Sequence, residues 1–330
     1  MTLAGRKQLI FAILLFLFLG GLLLSLLIGP VRTSARDLGN FLFNHDKTFS
    51  TIFLDLRLSR AALAFLVGAS LGLAGAILQG YFQNSMADPF VVGVSSGASF
   101  GAVLCLTLGL NVSLLGFSGQ SFFSFASGFA IVYLVYLLSQ KKGIFKVETL
   151  LLTGIAAGAL TSSLTTFLLF LRSDSYEQAV FWLLGSFSLA EWKQVGMVGL
   201  YFCISLALAQ SLAKDMNLLV LGDEIAQSLG CPVRRVRKIF LVVSTLLAAA
   251  SVSVSGIIGF VGLVVPHWIR ILIGPDHRRL FLYSALAGGV FLVYSDLLAR
   301  VVLFPTELPI GIITAAIGAP FFIYLLNQRR

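Results

Sequence analysis

The chain has 330 residues, 58% of them hydrophobic and only 11% charged, against roughly 25% charged in a soluble globular domain. So few charges cannot cover the surface of a soluble fold of this length, which leaves a bilayer as the solvent that suits the composition. The net charge of +9 excludes little by itself. No basic stripe with interleaved aromatics accompanies it, so its distribution points to membrane orientation rather than to nucleic acid.

A spanning helix needs about 20 apolar residues. Hydropathy predicts ten spans, near 9–28, 61–82, 93–110, 119–139, 149–171, 194–213, 239–258, 260–273, 280–303 and 310–326. They use most of the chain and leave one transmembrane domain, 1–330, without a flexible linker. The first follows Arg6 and Lys7 but is too long for a signal h-region and lacks a small-x-small cleavage site, so it reads as a retained span. In the second, Ala64, Gly68, Gly72, Ala76 and Gly80 recur every four residues and place small side chains on one stripe. Such stripes let helix backbones approach in lipid; a substrate path lined by them is the other reading. Gly154, Gly158 and Ser162 repeat the pattern in the fifth. The eighth span is short and continuous with the seventh through Gly256, Gly259 and Gly262, so a re-entrant break stays open there.

The basic residues orient this arrangement. With the N-terminus cytoplasmic, the inside segments hold Arg6, Lys7, Lys141, Lys142, Lys146, Lys214, Arg234, Arg235, Arg237, Lys238, Arg278, Arg279, Arg329 and Arg330. The outside segments hold Arg32, Arg36, Lys47, Arg57, Arg60, Arg172, Lys193 and Arg300, and Arg270 falls inside a span. Fourteen against eight places both termini in the cytoplasm.

Two connections are long. Residues 29–60 lie outside, with Ser34–Phe43 predicted as a short amphipathic helix; residues 214–238 lie inside and carry the densest charge. In the inner loop Asp223 is expected to cap a helix through Leu229, Gly230 to end it in a left-handed turn, and Pro232 to prevent its continuation. Leu218, Leu221, Ile225 and Leu229 would share one face, presented to a partner or laid on the membrane surface.

Catalytic and metal-binding constellations are not apparent. Cys105, Cys203 and Cys231 have no CxxC spacing, and His45, His267 and His277 lie far apart. No GxxxxGK[ST] loop exists, and Gly93–Ser99 lacks the lysine that would hold phosphate, so it reads as a small-residue helix start. Ionisable groups inside spans are His267 and Arg270, and Asp296 with Arg300 at i, i+4, where a structural ion pair is the plain reading. An ion-coupled secondary transporter would bury acids mid-span, which this chain scarcely does.

Glu224-Ile225-Ala226-Gln227-Ser228-Leu229-Gly230 resembles the E-x-A-x-x-x-G core of the loop by which bacterial ABC importer permeases engage their ATPases. The stretches LRLSR (from Leu56), GASLGLAGAILQGYFQNSMADPFVVGVSSGAS, FWLLGSFS, GFVGLVVPHWIR, GPDHR and DLLARVVLFPTELPIGIITAAIGAPFF follow in order to the C-terminus. Together they resemble the permease family for iron–siderophore, haem and vitamin B12 uptake, the FecCD/BtuC-like permeases. That resemblance implies an all-α integral membrane protein with about ten transmembrane helices in a BtuC-like fold, working as a homodimer in the cell inner membrane. It further implies two separate ATP-binding cassette subunits that hold ATP and magnesium, with no cofactor or metal on this chain. A periplasmic or lipid-anchored binding protein would deliver the cargo, most simply an iron(III)–siderophore complex, with haem or cobalamin as alternatives. Arg57, Arg60 and Arg300 match the family's arginines that receive the binding protein's acidic residues. Leu221, Gly222, Asp223, Glu224, Ala226, Leu229 and Gly230 match the ATPase coupling loop.

Two prolines of the family pattern are Ser59 and Ser85 here, which leaves the turns before and after the second span open. The stretch Lys146-Val147-Glu148-Thr149 is more charged than the family's inner gate, so no gate residues are assigned.

Overall fold

In lipid every backbone polar group must be paired within the protein, which admits helices and closed barrels alone. The computed structural model describes residues 3–29, 50–110, 112–114, 117–141, 144–145, 147–172 and 176–328. These form an all-α bundle with two hairpins of two-residue strands, Ser113–Leu114 with Phe117–Ser118 and Gln140–Lys141 with Ile144–Phe145. The predicted outer helix Ser34–Phe43 lies outside the described residues.

The helices run α1 Leu3–Leu27, α2 Ser59–Tyr81, α3 Val94–Thr107, α4 Gly119–Ser139, α5 Val147–Leu171, α6 Tyr176–Leu183 and α7 Trp192–Ser211. They continue α8 Ala213–Leu219, α9 Asp223–Ser228, α10 Val233–Ser255, α11 Val261–Ile273, α12 His277–Val301 and α13 Ile310–Gln328. The ten predicted spans correspond to α1–α5, α7 and α10–α13. Among the described residues seven helices are long and apolar enough to cross a membrane, while Val94–Thr107, Val261–Ile273 and Ile310–Tyr324 are shorter. Helices α6 and α8 were not predicted.

A π-helical stretch, Thr51–Leu58, runs without a turn into α2. Ser59 makes this possible: its amide donates to Leu54 O, a bond a proline could not make. The departure at Ser59 therefore yields a continuous helix. At Ser85 the chain turns instead, with Asn84 Oδ1 accepting from Met86 N at 2.9 Å and Asp88 Oδ1 accepting from Phe90 N at 2.8 Å.

Helix α2 is the axis of the bundle, buried along almost its whole length. Its small residues admit neighbouring backbones directly. A Cβ on Gly68 would lie 2.2 Å from Gly288 O, one on Gly72 2.3 Å from Ser284 O, and one on Gly75 1.9 Å from Gly262 O. Ala76 is fully buried on the same helix. Gly80 meets side chains instead, with Met216 Sδ at 2.7 Å and His277 Nε2 at 2.8 Å from its would-be Cβ.

Between α10 and α11 the chain breaks. Gly256 (φ 70°) ends α10, and Phe260 (φ 68°) starts the next helix in the left-handed region. Helix α11 has 13 residues, about 20 Å of rise, short of the ~30 Å hydrocarbon core. Pro266 within it removes the amide that would bond Gly262 O. The Gln79 side chain of α2 compensates, its Nε2 lying 3.4 Å from Gly262 O and 3.0 Å from Leu263 O.

Gly75→Ala should therefore separate α2 from α11 and cost about 1–3 kcal/mol or more. Gly196 has nothing within 4 Å, so Gly196→Ala should be neutral or stabilise by up to about 1 kcal/mol. Thermal unfolding of the purified variants in one detergent checks this, and equal midpoints would contradict the close packing.

Candidate functional site

The arginines expected at the outer rim converge at the end of the bundle where α2 begins. Arg60 Nη2 lies 2.8 Å from Asp296 Oδ1, and its Nη1 lies 2.9 Å from Glu307 Oε2. Arg300, one helical turn beyond Asp296 on α12, donates from Nε to Asp296 Oδ2 at 2.8 Å. It also reaches Ser25 Oγ at 3.2 Å and Ile28 O at 3.3 Å, fastening the end of α1. Arg57 donates to Leu26 O and lies over the Phe53 ring, 5.6 Å from its centroid. None of the three arginines is more than 9% exposed, and Asp296 is 1% exposed. The guanidiniums thus bind helices together rather than project from the surface. The ion pair expected between Asp296 and Arg300 is present, enlarged by Arg60 and Glu307.

Beside this network opens a cavity of about 640 Å³, lined by hydroxyls and amides including Ser121, Ser186, Gln178 and Gln194, together with Glu177 and Glu307. Glu307 accepts from Ser188 Oγ at 2.9 Å, joining cavity and arginine network. Helix α6, which sequence patterning did not separate, supplies one wall through Phe181 and Trp182.

At the opposite end, the loop 214–238 folds as α8 and α9. Contrary to the expectation that Asp223 caps α9, Gly222 holds the N-cap position with φ 112°, and Asp223 is the first helical residue. Its carboxylate is drawn away by Arg237 of α10, with Nη2 2.6 Å from Oδ1. Arg237 Nη1 donates to Tyr81 O at 2.8 Å, satisfying one of the carbonyls left unpaired at the end of α2. One buried guanidinium thus ties α9, α10 and α2 together, a role invisible in a run read only as basic. Gly230 (φ 84°) follows α9 in the left-handed region, and Pro232 precedes α10 as its N-cap residue. Ala226 is fully buried, whereas Leu221, Ile225 and Leu229 are 57%, 50% and 60% exposed. Glu224 is exposed beside them.

Helix α8 is clipped to α12. Asn217 Nδ2 donates to Asp276 Oδ1 at 2.8 Å, and the His277 amide donates to Asn217 Oδ1 at 2.9 Å. Desolvation works against the Asp276 carboxylate, but the bonds from Asn217 and Arg278 N and the charges of Arg278 and Arg279 hold it below its ordinary range. Gln83 Nε2 donates to Leu219 O at 2.7 Å and binds α8 to the end of α2.

Of the in-span groups, His267 stacks edge-on against Phe321 at 6.5 Å, and Arg270 has no ion pair among the described residues. The described residues contain no group of three His, Cys, Asp or Glu placed to hold a metal ion. Glu148 is exposed at the start of α5, and its neighbour Lys146 lies outside the described residues.

The sequence profile of the FecCD transport family matches residues 14–328. The chain belongs to that family. It is 43% identical over 287 residues to the cobalamin import system permease protein BtuC of Halobacterium salinarum, covering 87% of this chain and 76% of the relative. The Fe(3+)-citrate import system permease protein YfmD of Bacillus subtilis is 37% identical over 328 residues, 99% of this chain and 97% of the relative. An inward-facing structure of a metal-chelate type ABC transporter superposes with a TM-score of 0.86 at 32% identity, covering 97% of this chain and 99% of that one. This FecCD protein is a multi-pass membrane protein and an ABC importer permease of the metal-chelate class.

Removing the shared acid of the arginine network should matter more than removing its rim acid. Asp296→Asn leaves buried Arg300 without a carboxylate partner among the described residues and weakens the hold on Arg60, and should cost about 3–5 kcal/mol. The Glu307 side chain is 24% exposed, so Glu307→Gln should cost about 1 kcal/mol or less. Unfolding midpoints of the two FecCD variants check this; equal losses would show that Asp296 is not the hub.

Proposed function

We propose that the chain is the translocating subunit of an importer that brings an iron(III)–siderophore complex across the cell inner membrane. Two copies pair as a homodimer above two ATP-binding cassette subunits. A periplasmic or lipid-anchored binding protein delivers the chelate from outside. ATP and magnesium belong to the partner ATPase, and this chain has neither a catalytic site nor a cofactor of its own. Both termini and the 214–238 loop face the cytoplasm, which the fourteen-to-eight distribution of cations supports.

The observation that carries the reading is α9. Ile225 in the helix and Leu221 and Leu229 flanking it are exposed, while its acid Asp223 is bonded through Arg237 to α10 and α2. A helix fixed on one side and apolar on the other suits a groove on a moving partner. Force from the ATPase then passes into three helices at once.

At the outer end Arg60 and Arg300 pair with Asp296 and Glu307, and an acidic binding-protein surface would compete with Glu307 for Arg60. Arg60 is the contact point in this reading, because its partner Glu307 is the most exposed of the four groups. The hydroxyl- and amide-lined cavity beside it suits an iron chelate rich in carbonyl and hydroxyl groups. The similarity to a cobalamin permease favours cobalamin as the second reading.

Leu229→Asp should place an unpaired charge in the ATPase groove at a cost of several kcal/mol, disrupting assembly or separating ATP hydrolysis from transport. The check is co-purification of the ATPase together with uptake of radiolabelled ferric siderophore and cobalamin by iron-limited cells. Wild-type uptake by Leu229→Asp would contradict the coupling role, and uptake of cobalamin alone would replace the siderophore.

A further inference from the structure

A second cavity, about 810 Å³, lies at the loop end beside the start of α10. Three membrane-length helices end or begin at its wall: α2 at Tyr81, α4 near Tyr136, and α10 at Val233. The cavity therefore sits at the level of the bilayer surface. Its basic lining is Arg234, Arg235, Arg237 and Lys238, against the single acid Asp223. That acid is already taken by Arg237. Arg234, Arg235 and Lys238 form no ion pair among the described residues, and all three are exposed.

Solvent screens these exposed cations, but their shared sign makes the cavity complementary to an anion. The four cations fall within the first turn and a half of α10, where the helix end is itself positive and where no acidic residue sits in the first turn. The two tyrosines and Gln140 add polar groups at the same wall.

The geometry of α9 separates this cavity from the ATPase contact. Asp223 and Gln227, one turn apart, face the cavity, while Ile225 and the C-cap residue Leu229 project from the opposite side of the helix and are exposed. A partner seated on the apolar face leaves the basic cavity uncovered. Next to the cavity, the α4 residues Tyr133 and Leu137 are 59% and 48% exposed, and Leu134 and Leu138 are 45% and 56% exposed. Tyr133 lies on the cavity side of α4 one turn deeper than Tyr136, with Leu137 beside that face, and these give apolar surface running from the cavity into the membrane.

We propose that this cavity binds an anionic glycerophospholipid, its phosphate among Arg234, Arg235 and Lys238 and an acyl chain along the exposed side of α4. Basic pockets between membrane helices have the chemistry to hold such headgroups. The bound lipid would neutralise the start of α10 and steady the root of the coupling helix, an effect additional to the transport reading.

The test uses the full-length permease, alone and assembled with its ATPase, in nanodiscs of phosphatidylcholine with or without phosphatidylglycerol. These discs present both leaflets alike, so the result does not depend on orientation or on any transported substrate. Native mass spectrometry should show phosphatidylglycerol retained over phosphatidylcholine, and retention should fall roughly fivefold per cation removed in Arg234→Gln, Arg235→Gln and Lys238→Gln. Arg234→Lys, which keeps the charge, should retain it. Millimolar inorganic phosphate should fail to displace the lipid. The proposal is overturned if the single glutamine variants retain the lipid as wild type does, or if both lipids are retained equally. Displacement by inorganic phosphate would instead reveal a free-anion site, and loss on ATPase assembly an ATPase contact; either overturns it.

Discussion

The rest of the structure depends on how closely neighbouring backbones approach α2. Between helices in lipid no hydrophobic drive exists, so association rests on contact at van der Waals distance and on polar bonds. Gly68, Gly72 and Gly75 bring the carbonyls of Gly288, Ser284 and Gly262 to positions where a methyl group could not stand. The same helix then rescues its neighbour, since Gln79 supplies the donor that Pro266 removes from α11. A short, proline-interrupted helix after a broken junction is tolerable because α2 covers it.

Each end of α2 is secured by a buried guanidinium. At one end Arg60 of α2 grips Asp296 and Glu307; at the other Arg237 of α10 grips Tyr81 O and Asp223. Buried ion pairs add little net stability compared with well-packed apolar groups, but breaking one is costly because the remaining charge has no counterpart. Such pairs act here as fasteners of geometry. They make α2, about 34 Å of helix, a strut between the rim that the binding protein is proposed to meet and the helix that the ATPase is proposed to push.

Features governed by local spacing were legible in the sequence. The four-residue stripe of small residues and the Asp296–Arg300 pair depend on helix periodicity alone, and the apolar positions 221, 225 and 229 follow the same rule. What escaped needed long-range contact. Arg60 meets Asp296 across 236 positions and Glu307 across 247, so docking similarity pointed to Arg60 but its buried partners stayed hidden. Asp223 looked like a cap because capping rules consider neighbours in sequence; a guanidinium 14 residues away competes better for the carboxylate. Helix α6 was missed because its eight residues are too short for a hydropathy window. The break before α11 could be suspected from its glycines, but the Gln79 bond that makes it stable required the fold.

The central claim is that α2 and its two fasteners connect the end proposed to meet the binding protein to the helix proposed to meet the ATPase. Arg237→Gln tests it most directly, because it loosens α9 from α2 without touching the exposed face of α9. The measurement is ATP hydrolysis by the reconstituted importer with and without loaded binding protein. The account predicts that the variant still assembles with its ATPase but that the binding protein no longer changes the hydrolysis rate. A response equal to that of the wild type would show that the signal between the two faces does not pass through this connection.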